Sequence, residues 1–168
     1  TQLHRLLYSP ALLAYDAMLL GAAAAPAGLL TAARARGARV VTTYGMSETA
    51  GGCVYDGTPL QRVAVTVLPR IQIGGPVVGL GYRLRPDLSA QVFDGSTFLT
   101  SDVGAWDADG RLTVLGRLDA VIVTGGEKVA PVAVEAAMAE HRGVVAGAVG
   151  GGPGGEGGAR GRGGGGRA

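Results

Sequence analysis

A strand–helix–strand pattern in the first quarter of the chain most constrains its fold. Residues 17–20 form a short apolar run that ends at Gly21, which is typical of a buried parallel strand. Pro26 indicates a helix start because its fixed φ suits the first turn, and Gly37 indicates the end of that helix. Residues 39–43 then predict a second strand. Strand, helix and strand over this length predict a βαβ unit with a right-handed crossover, and therefore an α/β fold.

After about Asp56 the chain changes to short strands separated by Gly and Pro. Residues 63–67 alternate Val with small or polar residues, which is the period of a half-buried strand. Residues 107–110 form an acidic, Gly-terminated stretch between two apolar runs and predict a hairpin turn. Further short strands are predicted at residues 72–76, 82–84 and 91–93. The middle of the chain is therefore expected to form a small antiparallel barrel or sheet.

The last third starts with a predicted strand at residues 120–123 and a helix that opens at Pro131. After about Gly150 only Gly, Arg, Ala, Pro and Glu remain, so this tail has nothing to bury and is predicted to be disordered. It is explained either as an Arg/Gly arm that binds RNA or as a shifted reading frame in GC-rich coding sequence. We favour the frameshift because such arms usually carry stacking aromatic residues, which the tail lacks.

Charge and cysteine content exclude several classes of function. The net charge of +2 is too small to predict nucleic acid as the main partner. The single cysteine excludes an intrachain disulfide and fits a reducing cytoplasm, where we expect the protein to be located. No apolar run approaches the ~20 residues that span a bilayer. The first residues lack a signal-peptide layout, so the chain is expected to begin in the middle of a domain.

Residues 42–49 are the segment that most clearly carries chemistry. They predict a strand running into a hydroxyl-rich turn with one carboxylate, and ligands of α/β sheets bind outside the carboxyl ends of strands. There Tyr44 can stack on a base, hydroxyls can bind phosphate and Glu48 can hold Mg²⁺. A capped turn, in which Ser47 or Thr49 bonds the backbone, is equally well supported by the spacing alone.

Four segments in the same order resemble motifs of the adenylate-forming superfamily, which includes acyl-CoA synthetases, peptide-synthetase adenylation domains and luciferases. Residues 43–48 resemble its Tyr-Gly-x-Ser/Thr-Glu motif, and residues 20–26 its small-residue loop beside the adenine and acyl pockets. Residues 98–104 resemble its Tyr-x-Thr-Gly-Asp motif, and residues 116–129 its hinge and the loop that follows. Together the four matches cover most of residues 15–140.

The sequence of residues 42–57 is most similar to the o-succinylbenzoate–CoA ligases of menaquinone biosynthesis, with medium- or long-chain fatty acyl-CoA synthetases as the alternative. A third hypothesis is a non-catalytic nucleotide-binding protein with an Arg/Gly arm. The resemblance implies that residues 1–56 end an α/β AMP-binding subdomain and that residues 57–117 form a β-barrel-like subdomain of the same large domain. It places the hinge and the start of an α+β C-terminal domain at residues 118–146, before the tail of residues 147–168.

The resemblance also implies roles at the nucleotide. Tyr44 stacks on adenine, Ser47 hydrogen-bonds phosphate, and Glu48 ligates Mg²⁺. Asp102 accepts hydrogen bonds from the ribose hydroxyls. Arg117 assists at the ribose or phosphate. Other residues implied in binding the nucleotide lie in the same motifs: Gly21, Ala22, Ala23, Thr43, Gly45 and Met46.

Asp119 is implied as the hinge, and Gly125 and Gly126 as the lining of the pantetheine channel. Each role has a plain structural alternative: a turn cap for Asp102, a pairing of Arg117 with Asp119, and a core position for Tyr44. Ala22 stands where related loops often have a second glycine, which leaves the shape of that loop open.

The implied reaction is that of an acid–thiol ligase. A carboxylic acid attacks the α-phosphorus of ATP, giving acyl-adenylate and pyrophosphate, and coenzyme A then displaces AMP; Mg²⁺ neutralises phosphate charge. The family's phosphate loop with its lysine, and the lysine of its C-terminal domain, have no match in this sequence. We therefore expect an incomplete piece of the enzyme that keeps part of the nucleotide pocket but catalyses adenylation very poorly.

Overall fold

The computed structural model describes residues 2–23, 25–68, 70–120, 122–124, 127–129, 131–139, 146–152 and 160–166. The α-helices in this part of the chain are α1 (Gln2–Leu6), α2 (Ala27–Ala35), α3 (Pro86–Val92) and α4 (Pro131–Ala139). The strands are β1 (Met18–Leu20), β2 (Val40–Met46), β3 (Gly51–Tyr55), β4 (Thr58–Pro59), β5 (Ala64–Leu68), β6 (Arg70–Gly74), β7 (Phe93–Asp94), β8 (Thr97–Trp106), β9 (Leu112–Arg117), β10 (Ile122–Thr124), β11 (Glu127–Val129), β12 (Ala146–Gly152) and β13 (Arg160–Gly166). No helix among the described residues is long and apolar enough to cross a membrane.

The first sheet has the strand order β1-β2-β3-β4 and contains the predicted strand–helix–strand unit. β1 and β2 pair in parallel, from Met18 opposite Val40 to Leu20 opposite Thr42, and α2 connects them. Pro26 immediately precedes α2, and Gly37 follows it with a φ of 86°. β2 continues beyond the predicted end to Met46, because its second half pairs antiparallel with β3. The first part of the candidate motif therefore lies on a strand instead of in a turn.

The second sheet is antiparallel, as predicted for the middle of the chain. Its strands run in the order β5-β6-β8-β7, and β9 also pairs with β8. The predicted hairpin turn is present between β8 and β9. There Asp107 Oδ1 accepts hydrogen bonds from the backbone amides of Asp109 and Arg111 at 2.9 and 2.8 Å. An acidic side chain thus closes the turn that sets the register of the two long strands.

The strands predicted at residues 82–84 and 91–93 are wrong. Residues 82–84 form a turn in which Leu84 has a φ of 60°, and most of the second segment belongs to α3. Pro86 opens this helix and Asp87 lies in its first turn, where a carboxylate favours a helix start. These local signals for a helix outweigh the strand prediction for residues 91–93.

Two groups of buried side chains form the core. The first lies between α1, α2 and the start of β2, and the second joins β3 to β6 and β9. The two groups comprise Leu3, Leu7, Leu12, Ala33, Ala38 and Val40, and Cys53, Val54, Ile71, Ile73 and Leu112. Tyr44 and Met46 pack on the second group, so this part of the core fixes the position of the candidate motif.

β12 and β13 pair antiparallel, from Ala146 opposite Gly166 to Gly152 opposite Arg160. This pairing differs from the disorder expected after residue 147. The two glycine-rich strands pair through backbone hydrogen bonds. Disorder was expected because the tail has few side chains to bury, and backbone pairing does not require buried side chains. Glu135 of α4 accepts a hydrogen bond from the backbone amide of Val149 at 2.9 Å.

Candidate functional site

An open cleft of about 670 Å³ lies between the two sheets. Its lining comes from the loop after β1, from β2, and from the facing parts of β8 and β9. Many of the residues singled out from the sequence line it: Ala22, Ala23, Thr43, Tyr44, Gly45, Met46, Glu48, Asp102 and Arg117. The structure therefore brings residues from all four sequence motifs to one cavity.

A β-bulge in β8 determines where Asp102 lies. β6 pairs with β8 at Gln72 opposite Leu99 and at Arg70 opposite Val103, so β8 carries extra residues between these points. Thr100 is 1% exposed and stabilises the bulge. Its hydroxyl donates to the carbonyl oxygen of Ile71 at 2.8 Å and accepts from the amide of Asp102 at 3.0 Å. Bulges of this kind re-aim side chains, and here the carboxylate is among the groups that line the cleft.

Tyr44, Asp102 and Arg117 meet on one side of the cleft. Tyr44 Oη donates to Asp102 Oδ2 at 2.7 Å, and Arg117 Nη1 lies 3.7 Å from Asp102 Oδ1. Asp102 and Arg117 are directly opposite each other in the β8–β9 ladder. Burial, and next the hydrogen bond to Asp102, raise the pKa of Tyr44 far above its ordinary value. Tyr44 therefore stays protonated and is a permanent hydrogen-bond donor to Asp102.

Arg117 also pairs with Asp119, as the structural alternative for these residues predicted. Arg117 Nε and Nη2 donate to the two carboxylate oxygens of Asp119 at 2.9 and 2.6 Å. This bidentate pair raises the pKa of Arg117 and lowers the pKa of Asp119. Both side chains are more than half exposed, so the pair contributes little to stability. The contact orients the guanidinium, whose remaining terminal nitrogen faces Asp102.

The loop after β1 approaches β2 closely. A Cβ added at Gly21 would lie 2.6 Å from Thr43 Oγ1 and 3.3 Å from the Thr43 carbonyl oxygen, so a larger residue there would require Thr43 to shift. Ala22 has a φ of 70°, in the left-handed region that favours glycine. The shape that the sequence left open is therefore a glycine-like turn that Ala22 adopts under strain.

Replacing Ala22 with glycine is expected to raise the free energy of unfolding by about 1 kcal/mol, because glycine has no Cβ penalty at positive φ. The thermal midpoint should rise by roughly 2–4 °C for a chain of this size. Differential scanning calorimetry measures the change. The neighbouring substitution Ala23→Gly is the control: Ala23 is not among the residues with positive φ, so glycine there should not stabilise the chain. Equal stabilisation by both variants would contradict strain at Ala22.

Glu48 lies in the 3-10 turn Ser47–Thr49 that follows β2. Thr49 is the residue that caps this turn: its hydroxyl accepts from the amide of Met46 at 3.0 Å and contacts the carbonyl oxygen of Gly51 at 2.8 Å. The capped-turn alternative therefore holds for Thr49. Ser47 is exposed at the start of the turn, whereas Glu48 lines the cleft.

Tyr82 is a cleft residue that the sequence analysis missed. Its Oη donates to Glu48 Oε1 at 2.7 Å, and this hydrogen bond raises the pKa of Tyr82 to about 12. The sequence predicts a short strand at residues 82–84, between segments that contain Gly and Pro. The signal that favoured a loop was the pair of glycines at positions 79 and 81.

Among the described residues, three predicted site residues do not line the cleft: Gly21, Ser47 and Asp119. Gly21 lies close to Thr43 of β2, and Asp119 pairs with Arg117. The expected channel residues Gly125 and Gly126 lie outside the described residues. The roles assigned to all of these positions remain predictions.

Several curated proteins with similar sequences carry the name 2-succinylbenzoate–CoA ligase. The chain is 50% identical over 137 residues to a "probable 2-succinylbenzoate–CoA ligase" of Mycobacterium tuberculosis, and the match covers 78% of this chain and 35% of that protein. It is 36% identical over 150 residues to the 2-succinylbenzoate–CoA ligase of Geobacillus kaustophilus, covering 76% and 31%. The chain thus spans about a third of the length of the curated relatives that it matches. No family model matches the chain.

Solved structures with a similar fold include o-succinylbenzoate CoA synthetase of Bacillus subtilis in complex with an acyl-adenylate intermediate. Its TM-score is 0.79 at 27% identity, covering 88% of this chain and 35% of that one. The amide bond synthetase of Marinactinospora thermotolerans has a TM-score of 0.82 at 29% identity, covering 95% and 39%. The fold class and the resemblance to adenylate-forming enzymes are therefore confirmed over the region that this chain spans.

Proposed function

We propose that this chain, a relative of the 2-succinylbenzoate–CoA ligases, forms the adenylate-binding side of an acid–CoA ligase. In the reaction, the acid is activated as an acyl-adenylate at the expense of ATP and is then transferred to coenzyme A. The observation that best supports the proposal is the meeting of Tyr44, Asp102 and Arg117 on one side of the cleft. An aromatic ring can stack on a base, a carboxylate can accept hydrogen bonds from ribose hydroxyls, and a cation can pair with phosphate.

In this proposal the adenosine lies between the loop after β1 and β2. Tyr44 stacks on the base, and small residues at positions 21–23 let the opposite backbone approach the flat ring. Asp102 accepts hydrogen bonds from the ribose hydroxyls, since a carboxylate offers about four acceptor sites and Tyr44 occupies one of them. Arg117 faces the same carboxylate and supplies positive charge on the phosphate side.

Glu48 is the candidate ligand for Mg²⁺. The described residues contain no group of three or more His, Cys, Asp or Glu side chains that could hold a metal ion by themselves. Mg²⁺ usually binds one or two carboxylates together with waters and the phosphates of a nucleotide, and Glu48 supplies a carboxylate in the cleft. When bound, the ion neutralises phosphate charge during transfer of the adenylyl group.

The acid that we propose is o-succinylbenzoate. The support is the identity of 50% to a protein that carries the 2-succinylbenzoate–CoA ligase name, over more than three quarters of this chain. The alternative acid is a medium- or long-chain fatty acid, as in the fatty acyl-CoA synthetases that the sequence also resembles.

Isothermal titration calorimetry of the chain with three ligands tests the proposal. AMP and a non-hydrolysable o-succinylbenzoyl-adenylate analogue should both bind, and the analogue should bind at least about tenfold more tightly because it adds acyl contacts. A decanoyl-adenylate analogue is the matched comparison. Absence of AMP binding would overturn the nucleotide site. Tighter binding of the decanoyl analogue would overturn o-succinylbenzoate as the proposed acid, while the proposed nucleotide site would stand.

A further inference from the structure

The segment of residues 75–85 is attached to Glu48 at two points. The backbone amide of Gly79 donates to the carbonyl oxygen of Glu48 at 2.8 Å. The Tyr82 hydroxyl donates to the carboxylate of the same residue at 2.7 Å. The first contact fixes where the backbone of Glu48 lies, and the second fixes where its side chain points.

Tyr82 is itself held firmly. Its backbone amide donates to Ser89 Oγ at 2.7 Å, and its ring meets the ring of Phe93 edge-on at 5.3 Å and 79°. Gly81 has a φ of 141°, and a Cβ there would lie 2.9 Å from Ser89 Oγ. α3 and β7 therefore support the aromatic ring, although 36% of the residue's surface is exposed.

We propose that Tyr82 is a positioning residue that holds Glu48 so that the second carboxylate oxygen of Glu48 faces the divalent cation of a bound nucleotide. This inference rests on the proposed function. A free glutamate side chain on a turn samples many rotamers, and ordering it costs conformational entropy. Mg²⁺ requires near-octahedral geometry and tolerates a misplaced ligand poorly. A neutral hydroxyl that occupies one oxygen supplies this order without adding a charge that competes with the cation.

The substitution Tyr82→Phe tests the proposal, because it removes the hydroxyl and keeps the ring against Phe93. Calorimetry would measure ATP binding with and without Mg²⁺, and AMP binding without Mg²⁺. We expect the gain in ATP affinity that Mg²⁺ gives to fall by about three- to tenfold. Residues that orient a metal ligand typically account for about 10- to 100-fold in metal affinity, and loss of a single hydrogen bond corresponds to the lower part of that range. Metal-free AMP binding and the thermal midpoint should stay unchanged. The exposed Tyr15→Phe is the matched control and should alter none of these quantities.

A double-mutant cycle with Glu48→Gln separates positioning from direct contact. If Tyr82 acts through Glu48, Tyr82→Phe should change Mg²⁺-dependent ATP binding by less than about twofold in the Glu48→Gln background. The inference would be overturned if Tyr82→Phe had the same effect in the Glu48→Gln background, or if it had no effect in the parent chain. An equal loss of metal-free AMP binding would also overturn it. Absence of metal-free AMP binding by the parent chain would instead overturn the proposed function, and the inference with it.

Discussion

Replacing Asp102 with asparagine is expected to weaken AMP binding by about thirtyfold while the fold stays intact. The proposed contacts of the carboxylate with the ribose hydroxyls are charge-assisted, and removing the charge should cost about 2 kcal/mol. The amide oxygen of asparagine can still accept the hydrogen bond from Tyr44, so the ring should keep its position. Calorimetric titration with AMP gives the affinity, and urea denaturation shows that the variant remains folded.

Asp107→Asn is the matched control for this prediction. Asp107 lies on the same hairpin and closes its turn, outside the residues that line the cleft. Asparagine also suits such turns, so both stability and AMP affinity should stay close to those of the parent. AMP binding by Asp102→Asn within about threefold of the parent would show that the carboxylate does not carry the ribose contact.

The features of the site that the sequence predicted are those with local signals. Tyr44, Glu48 and Asp102 each lie in a short motif, and the strands and turns around them follow from apolar runs, Gly and Pro. The pairing of Arg117 with Asp119 was also foreseeable, because opposite charges two residues apart at the end of a strand are within reach of each other.

The convergence of these residues could not be predicted in the same way. Asp102 faces Arg117 because both the β6–β8 and the β8–β9 ladders shift register, and bulges leave no fixed mark in the sequence. The contact of Tyr82 with Glu48 joins residues 34 positions apart and depends on α3, whose last residues were predicted as a strand. Long-range contacts of this kind are set by packing of the sheets, not by propensity.

Gly45 is the position where a single added methyl group should have the largest effect on stability. The register of β2 and β3 shifts between Tyr44 and Gly45 and brings the two backbones together. A Cβ at Gly45 would lie 2.0 Å from the carbonyl oxygen of Gly51 and 2.7 Å from Gly52 Cα, which no rotamer change relieves because both are backbone atoms.

Gly45→Ala is therefore expected to lower the free energy of unfolding by at least about 3 kcal/mol, the upper range for overpacked sites, as measured by urea denaturation. Gly28→Ala is the control, since no atom lies within 4 Å of a Cβ at Gly28 and alanine in α2 should stabilise the chain by about 0.5–1 kcal/mol. Because Tyr44 adjoins Gly45, whatever fraction of the Gly45→Ala variant folds should bind AMP more weakly than the parent. A variant with both the stability and the AMP affinity of the parent would contradict the close approach of β2 and β3, and with it the position of Tyr44 in the cleft.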